Sequence, residues 1–198
     1  IIVIVAVFAI AYAAEARAVD EDLTNLRREV ALSHTRRSEN FTRIVEDARE
    51  ARVARVGAPD VDARLAEAGP LLARARALPR AELVVTSDGP SFSAWKIASG
   101  LAAEADRAYG RGDAVLGDAS IVRSAILASS LRGSGSVPAA LLASRAMEDV
   151  ATVVDRHRAR IGDAARADLA AVPWPTPAEL GASLRVGRAR TILGWADG

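Results

Sequence analysis

The first 56 residues constrain the fold of this chain most, because they contain neither glycine nor proline. They open with an apolar run from Ile1 to Ala14 and continue through charged residues to Val56, before Gly57 and Pro59 interrupt the pattern. This pattern predicts one helix of roughly 84 Å at about 1.5 Å per residue, which is too long for one membrane or one small domain to bury. We therefore expect a helix that leaves a membrane and becomes the first helix of an antiparallel, all-α bundle.

The apolar run is read as the end of a transmembrane anchor. A membrane span needs about 20 apolar residues, and this run is shorter. Because the chain starts at Ile1 and not at a methionine, we expect the numbering to begin inside the anchor, with residues 1–16 belonging to it. Tyr12 and Arg17 would then lie at the membrane interface. The alternative is the core of a signal peptide, but the helical pattern continues into the charged residues without any turn-forming residue.

Beyond the anchor, the apolar residues follow the alternating steps of four and three that are typical of a coiled-coil seam. The seam has two parts: Val19, Leu23, Leu26 and Val30, and then Phe41, Ile44, Ala48 and Ala51. One extra step of four, through His34 and Arg37, separates the two parts. This irregularity is a stutter in the heptad pattern.

Glycine and proline divide the rest of the chain into shorter predicted helices. These run from Asp60 to about Leu78, from Ser91 to about Tyr109, over roughly 114–131, from Pro138 to about Ile161, and from Thr176 to about Trp195. Pro70 should kink or split the first of them. The helix over 114–131 is apolar on nearly all sides, so it should be central. We expect an anchor (1–16), a helical bundle (17–132), and an extension (133–198) with a linker, a helix, a Pro- and Trp-rich connection and a terminal helix.

Composition narrows the classes of function. Lys96 is the only lysine, so arginine supplies 25 of the 26 basic residues, and the formal net charge is +1. Acids and bases are interleaved, whereas a nucleic-acid-binding protein more often carries a basic excess on one face. The abundance of Ala, Arg, Val, Gly and Asp is typical of a GC-rich bacterial genome. The absence of cysteine excludes disulfides, thiolate metal sites and cysteine nucleophiles.

No catalytic motif stands out. His34 and His157 are the only histidines, and neither has metal-ligand spacing. His157 falls on a helical seam, where we expect a satisfied buried or half-buried ring. The chain is therefore predicted to be neither an enzyme nor a cofactor- or metal-binding protein. The candidate interface residues are aromatic, with packing inside the bundle as the alternative: Phe41, Trp95, Trp174 and Trp195.

Two elements of the long helix resemble the LemA family of bacterial membrane-anchored helical proteins. The first, Leu26 to Val30 (LRREV), is similar to the family's Leu-Arg-Asn-x-Val, and the second, Arg36 to Glu46 (RRSENFTRIVE), to its Arg-Arg-x-Asp-Leu-Ile-Pro-Asn-Leu-Val-Glu. Thr42 and Arg43 stand where the family has proline and asparagine. The resemblance covers about residues 1–130 and implies an anchored bundle, with no catalytic residues to carry over.

These features predict a single-pass protein of the bacterial plasma membrane that acts as an accessory or scaffold subunit of a larger complex, such as a respiratory assembly. Its partners would be membrane lipid and other subunits of the complex, with self-association through the long helix as a further option. The alternatives are a tethered sensor that binds a small ligand between helices, and a cell-envelope scaffold of the LemA type. Arginines after the anchor favour a cytoplasmic soluble part.

Overall fold

The computed structural model describes residues 17, 19–25, 27, 39–85, 91–134, 137–174, 176–178 and 181. Within them the regular structure is helical and no strand occurs, which confirms the all-α prediction. The helices are α1 (Glu39–Asp47), α2 (Val61–Ala77), α3 (Ser91–Gly110), α4 (Ala114–Gly133), α5 (Val137–Arg156) and α6 (Asp163–Ala170), with a 3₁₀ turn at Arg80–Glu82. Residues 19–25 are also helical. The predicted anchor, Tyr12, the stutter at 34–37 and Trp195 lie outside the described residues.

Helices α3, α4 and α5 form the centre of the bundle. Short connections reverse the chain between them, so α3 and α5 run parallel to each other and antiparallel to α4. Alanine and serine dominate their contacting faces, which lets the helix axes approach closely. The serines also form hydrogen bonds between helices: Ser124 Oγ of α4 donates to the carbonyl oxygen of Ala98 of α3 at 2.7 Å. Most of α4 is buried, as predicted from its nearly uniform apolar character.

The prediction of an unbroken helix to Val56 is wrong. Helix α1 ends at Asp47, and residues 48–56, which we call the strap, form turns and irregular backbone. Phe41, Ile44 and Val45 are buried in the core, so α1 packs against the bundle instead of projecting from it. The chain leaves the helix without glycine or proline because side chains of other elements bind the carbonyl groups that the helix would have used.

Helix α2 buries one face, which carries Val61, Ala68, Leu72 and Ala75. The helix continues through Pro70, so the predicted split does not occur. A proline removes one backbone hydrogen bond from a helix, and here the buried face on either side of it keeps the helix in place.

The residues before and after the linker at 132–137 belong to one compact unit, which extends from Thr35 to Leu184. Helix α5 packs on both α3 and α4, and Ala143, Val150 and Ile161 are buried. Of the predicted terminal helix, residues 176–178 and 181 are described, and 177, 178 and 181 are helical.

Helix α4 is the one helix among the described residues that is long and apolar enough to cross a membrane. It lies in the middle of the chain, and 61% of its most apolar window is buried within the bundle. A core helix of a soluble bundle has the same length and composition, so this feature favours neither location.

Candidate functional site

Three basic side chains fasten the strap to the bundle. Lys96 Nζ donates to the carbonyl oxygens of Arg49 and Ala51, each at 2.7 Å. Arg64 Nη1, from α2, donates to the carbonyl oxygen of Val53 at 2.6 Å. The third is Arg55, on the strap itself, whose Nη2 lies 3.8 Å from Asp149 Oδ1. The contacts of Lys96 and Arg64 satisfy backbone carbonyl groups that would otherwise lack partners, which explains how the chain remains ordered after α1 ends.

An apolar contact supports the same segment. Ala54, in the middle of the strap, is buried in a small cluster with Val61 of α2 and Ala103 of α3. Gly57 closes the segment with a φ of +76°, a left-handed conformation that favours glycine. The strap is therefore held along its length by packing and by side-chain donors, and not by helical hydrogen bonds.

Beneath the strap, α3 and α5 bring together two buried polar side chains. Asp149 is 5% exposed and Ser99 is fully buried. Burial raises the pKa of Asp149, while the Ser99 hydroxyl and the Arg55 guanidinium act in the opposite direction. Beyond each other, Asp149 Oδ2 and Ser99 Oγ have no hydrogen-bond partner among the described residues. A buried polar atom without a partner is costly, so this pair could accept hydrogen bonds from, or donate them to, a small polar ligand.

A second polar cluster joins the opposite parts of α3 and α5. Asp106 on α3 accepts two hydrogen bonds from Arg156 Nη1, both at 2.8 Å. Its Oδ1 also lies 2.8 Å from Nε2 of His157, which follows the last residue of α5. The ring of His157 is nearly buried, as its seam position predicts. The histidine is therefore satisfied by a carboxylate partner.

The same cluster extends to α4 through Tyr109. Its hydroxyl donates to Asp118 Oδ1 at 2.6 Å, and the Arg160 guanidinium donates to its carbonyl oxygen. Burial, together with the hydrogen bond to Asp118 and the charge of that residue, raises the pKa of Tyr109. The Asp118 carboxylate also accepts from the amide of Gly162, at 3.2 and 3.3 Å. Four elements thus meet at this cluster.

The chemistry of this polar cluster favours a structural role. An aspartate that orients a histidine is part of many hydrolytic sites, which also need an adjacent hydroxyl or thiol nucleophile. The members of this cluster are two aspartates, two arginines, a histidine and a tyrosine whose pKa is raised. Because these groups bind one another, the cluster is suited to holding helix ends together.

The aromatic candidates are dispersed. Trp95 is half-buried and its ring centroid lies 5.1 Å from that of Phe92, whose ring is exposed. Trp174 is 39% exposed. Phe41 is only 3% exposed and packs in the core, which corrects its assignment to an interface surface. Arg17 is exposed.

Sequence reasoning missed the polar residues on which these clusters are built: Lys96, Ser99, Asp106, Asp118 and Asp149. One signal was available for the acids. Asp106 follows Ala105 and Asp149 precedes Val150, so both are adjacent to apolar seam positions, where a carboxylate needs a partner. The partners come from distant parts of the sequence, so their identity could not be read from local spacing. Comparison of the chain with protein-family models, with curated proteins and with solved structures finds no significant match.

Proposed function

We propose that this protein is a non-catalytic, single-pass bacterial membrane protein whose helical bundle serves as an accessory or scaffold subunit of a larger membrane assembly. The observation that carries the proposal is the fastening of α1 and the strap to the bundle. A bundle attached to the membrane through a flexible linker would need no such contacts. Here Lys96 and Arg64 bind the strap backbone, so a displacement of α1 is transmitted to α2 and α3.

The internal use of charge supports the same proposal. The buried or half-buried acids Asp106, Glu104 and Asp118 each bind donors within the bundle. Such pairs fix the mutual positions of helices and give a rigid body on which a partner can assemble. A cell-envelope scaffold of the LemA type is the nearest variant of this function, and it differs only in the partner.

A second candidate function is a tethered sensor that binds a small polar ligand between α3 and α5. The buried pair of Ser99 and Asp149 favours it, since beyond each other both side chains lack a polar partner among the described residues. A ligand there would contact the segment that joins α1 to the bundle. This function predicts a saturable rise in melting temperature with one metabolite, which Asp149→Asn abolishes.

Isolation of the full chain from native membranes in a mild detergent, followed by native mass spectrometry, tests the leading proposal. We expect one stoichiometric complex with other membrane subunits. Lys96→Met is the informative variant, because it releases the strap while leaving the α3–α5 centre intact, and it should reduce the fraction of the chain in the complex. A chain that is always recovered alone as a monomer would contradict the accessory-subunit function. Protease protection in intact cells and in spheroplasts would establish the side of the membrane.

A further inference from the structure

Three of the exposed large apolar side chains lie at one end of the bundle: Phe92 (54% exposed), Leu141 (67%) and Trp174 (39%). Phe92 is the second residue of α3, and Leu141 is in the first turns of α5. These helices are parallel, and the contact between Asp106 and Arg156 sets their offset at 50 residues. The same offset places Phe92 level with the position that follows Leu141.

Hydrogen bonds of α4 place Trp174 at this end as well. The bond from Ser124 Oγ to the carbonyl oxygen of Ala98 fixes the antiparallel register of α4 on α3. Ser129, five residues later, is therefore level with the start of α3. Its hydroxyl donates to the carbonyl oxygen of Pro173, which holds the adjacent Trp174 at the same level.

Basic side chains accompany these apolar groups. Arg132 is exposed in the last turn of α4. Lys96 Nζ, which also binds the strap carbonyls, lies 5.3 Å from the centroid of the Phe92 ring. The opposite end of the bundle differs in its apolar groups: among the described residues its exposed large apolar side chain is Val115, at the beginning of α4, near the exposed Arg111. The chain therefore combines aromatic, aliphatic and cationic groups at a single end.

We infer that this end of the bundle, which we call the aromatic end and define by Phe92, Leu141 and Trp174, contacts the surface of an anionic lipid bilayer. Protein interfaces concentrate their energy in a few packed aromatic anchors, whereas these exposed side chains belong to three different elements. Separate apolar tips beside cations match the interfacial region, where aromatic rings enter the headgroup layer and basic groups meet anionic phosphates. The inference rests on the proposed function, which places the bundle beside a membrane.

Single-cysteine labelling tests this contact, because the chain has no cysteine of its own. Leu141→Cys carries an environment-sensitive nitrobenzoxadiazole probe at the aromatic end, and Val115→Cys carries the same probe at the other end as a matched exposed control. The labelled full chain is reconstituted in vesicles that contain phosphatidylglycerol, and flotation establishes whether it is membrane-bound. At position 141 we expect a blue-shifted emission that nitroxide-labelled lipids quench and that added salt weakens. At position 115 we expect the emission of a probe in water.

Each other outcome overturns the inference in a distinguishable way. A chain that does not float contradicts both the membrane tether and the lipid contact. A chain that floats, with both probes in water or both equally quenched, leaves the tether intact and removes the contact of the aromatic end. A blue shift at position 141 that lipids do not quench and that rises with the protein-to-lipid ratio would assign this end to contact between copies of the chain.

Discussion

Gly117, in the first turns of α4, is a position where the packing of the bundle leaves no room for a larger side chain. A Cβ atom there would lie 2.6 Å from Cε1, 2.7 Å from Cδ1 and 2.8 Å from Cζ of Tyr109. Carbon atoms in contact are normally about 3.5–4.0 Å apart. Tyr109 is fully buried, and Asp118 and Arg160 hold its hydroxyl and carbonyl groups, so the ring cannot move aside easily. Gly117→Ala therefore forces the two helices apart or displaces the ring.

Two opposing terms set the size of the effect. Overpacking a core costs about 1–3 kcal/mol, and three overlapping ring atoms place this site near 3. Replacing glycine by alanine inside a helix returns about 1 kcal/mol. We therefore expect Gly117→Ala to lower the free energy of unfolding by about 2 kcal/mol, or about 4–8 °C in melting temperature for a chain of this size.

Thermal unfolding of the full chain in a mild detergent, followed by circular dichroism, measures the difference in stability between the parent chain and Gly117→Ala. Gly110→Ala is the matched control, because a Cβ atom there meets nothing within 4 Å and the variant should be at least as stable as the parent chain. In a Tyr109→Leu background, which removes the ring, Gly117→Ala should lose most of its cost. The reasoning is refuted if Gly117→Ala is as stable as the Gly110→Ala control.

Three further predictions concern the polar groups. Lys96→Met should lower the free energy of unfolding by about 1–2 kcal/mol, since two charge-assisted hydrogen bonds of a half-exposed ammonium group are lost. The same variant should speed proteolysis within the strap but not within α4. Asp106→Asn should lower the free energy of unfolding in urea by about 2 kcal/mol, because it weakens the hydrogen bond between residue 106 and the nearly buried His157. Burial raises the pKa of the Asp149 carboxyl above its ordinary value of 3.8. The parent chain is therefore most stable relative to Asp149→Asn below the pKa that this carboxyl has in the unfolded chain. That advantage is lost as the pH rises through the pKa of the carboxyl in the folded chain. The difference in free energy of unfolding between the parent chain and Asp149→Asn should therefore decrease as the pH rises, and a constant difference would contradict a buried acid.

The helices α2 to α5 could be predicted because their apolar periodicity and their glycine or proline boundaries agree. Asp113 illustrates this agreement, since its side chain accepts a hydrogen bond from the amide of Leu116 and caps α4 where the glycine-rich turn ends. Leu72 and Ala75 are buried on α2 as the seam requires. Local sequence and tertiary packing specify the same structure in these helices.

The strap could not be predicted in this way. Residues 48–56 have helical composition and no breaker, yet Lys96, about 45 residues away, binds the carbonyl groups of Arg49 and Ala51. A contact so distant in sequence overrides local helix propensity. The polar cluster around Asp106 depends on His157 in the same manner, through a pairing that spacing along one helix does not reveal.

The strap is a fixed part of the bundle, and a measurement of the distance between the strap and α5 tests this most directly. Spin labels at Arg52→Cys on the strap and Ala151→Cys on α5 use exposed positions in a chain without native cysteine. Double electron–electron resonance on the full chain in lipid should give one narrow distance distribution, which broadens in Lys96→Met. A broad distance distribution in the parent chain, or the same distribution in the parent chain and in Lys96→Met, would show that the strap is a flexible linker that the Lys96 contacts do not hold on the bundle.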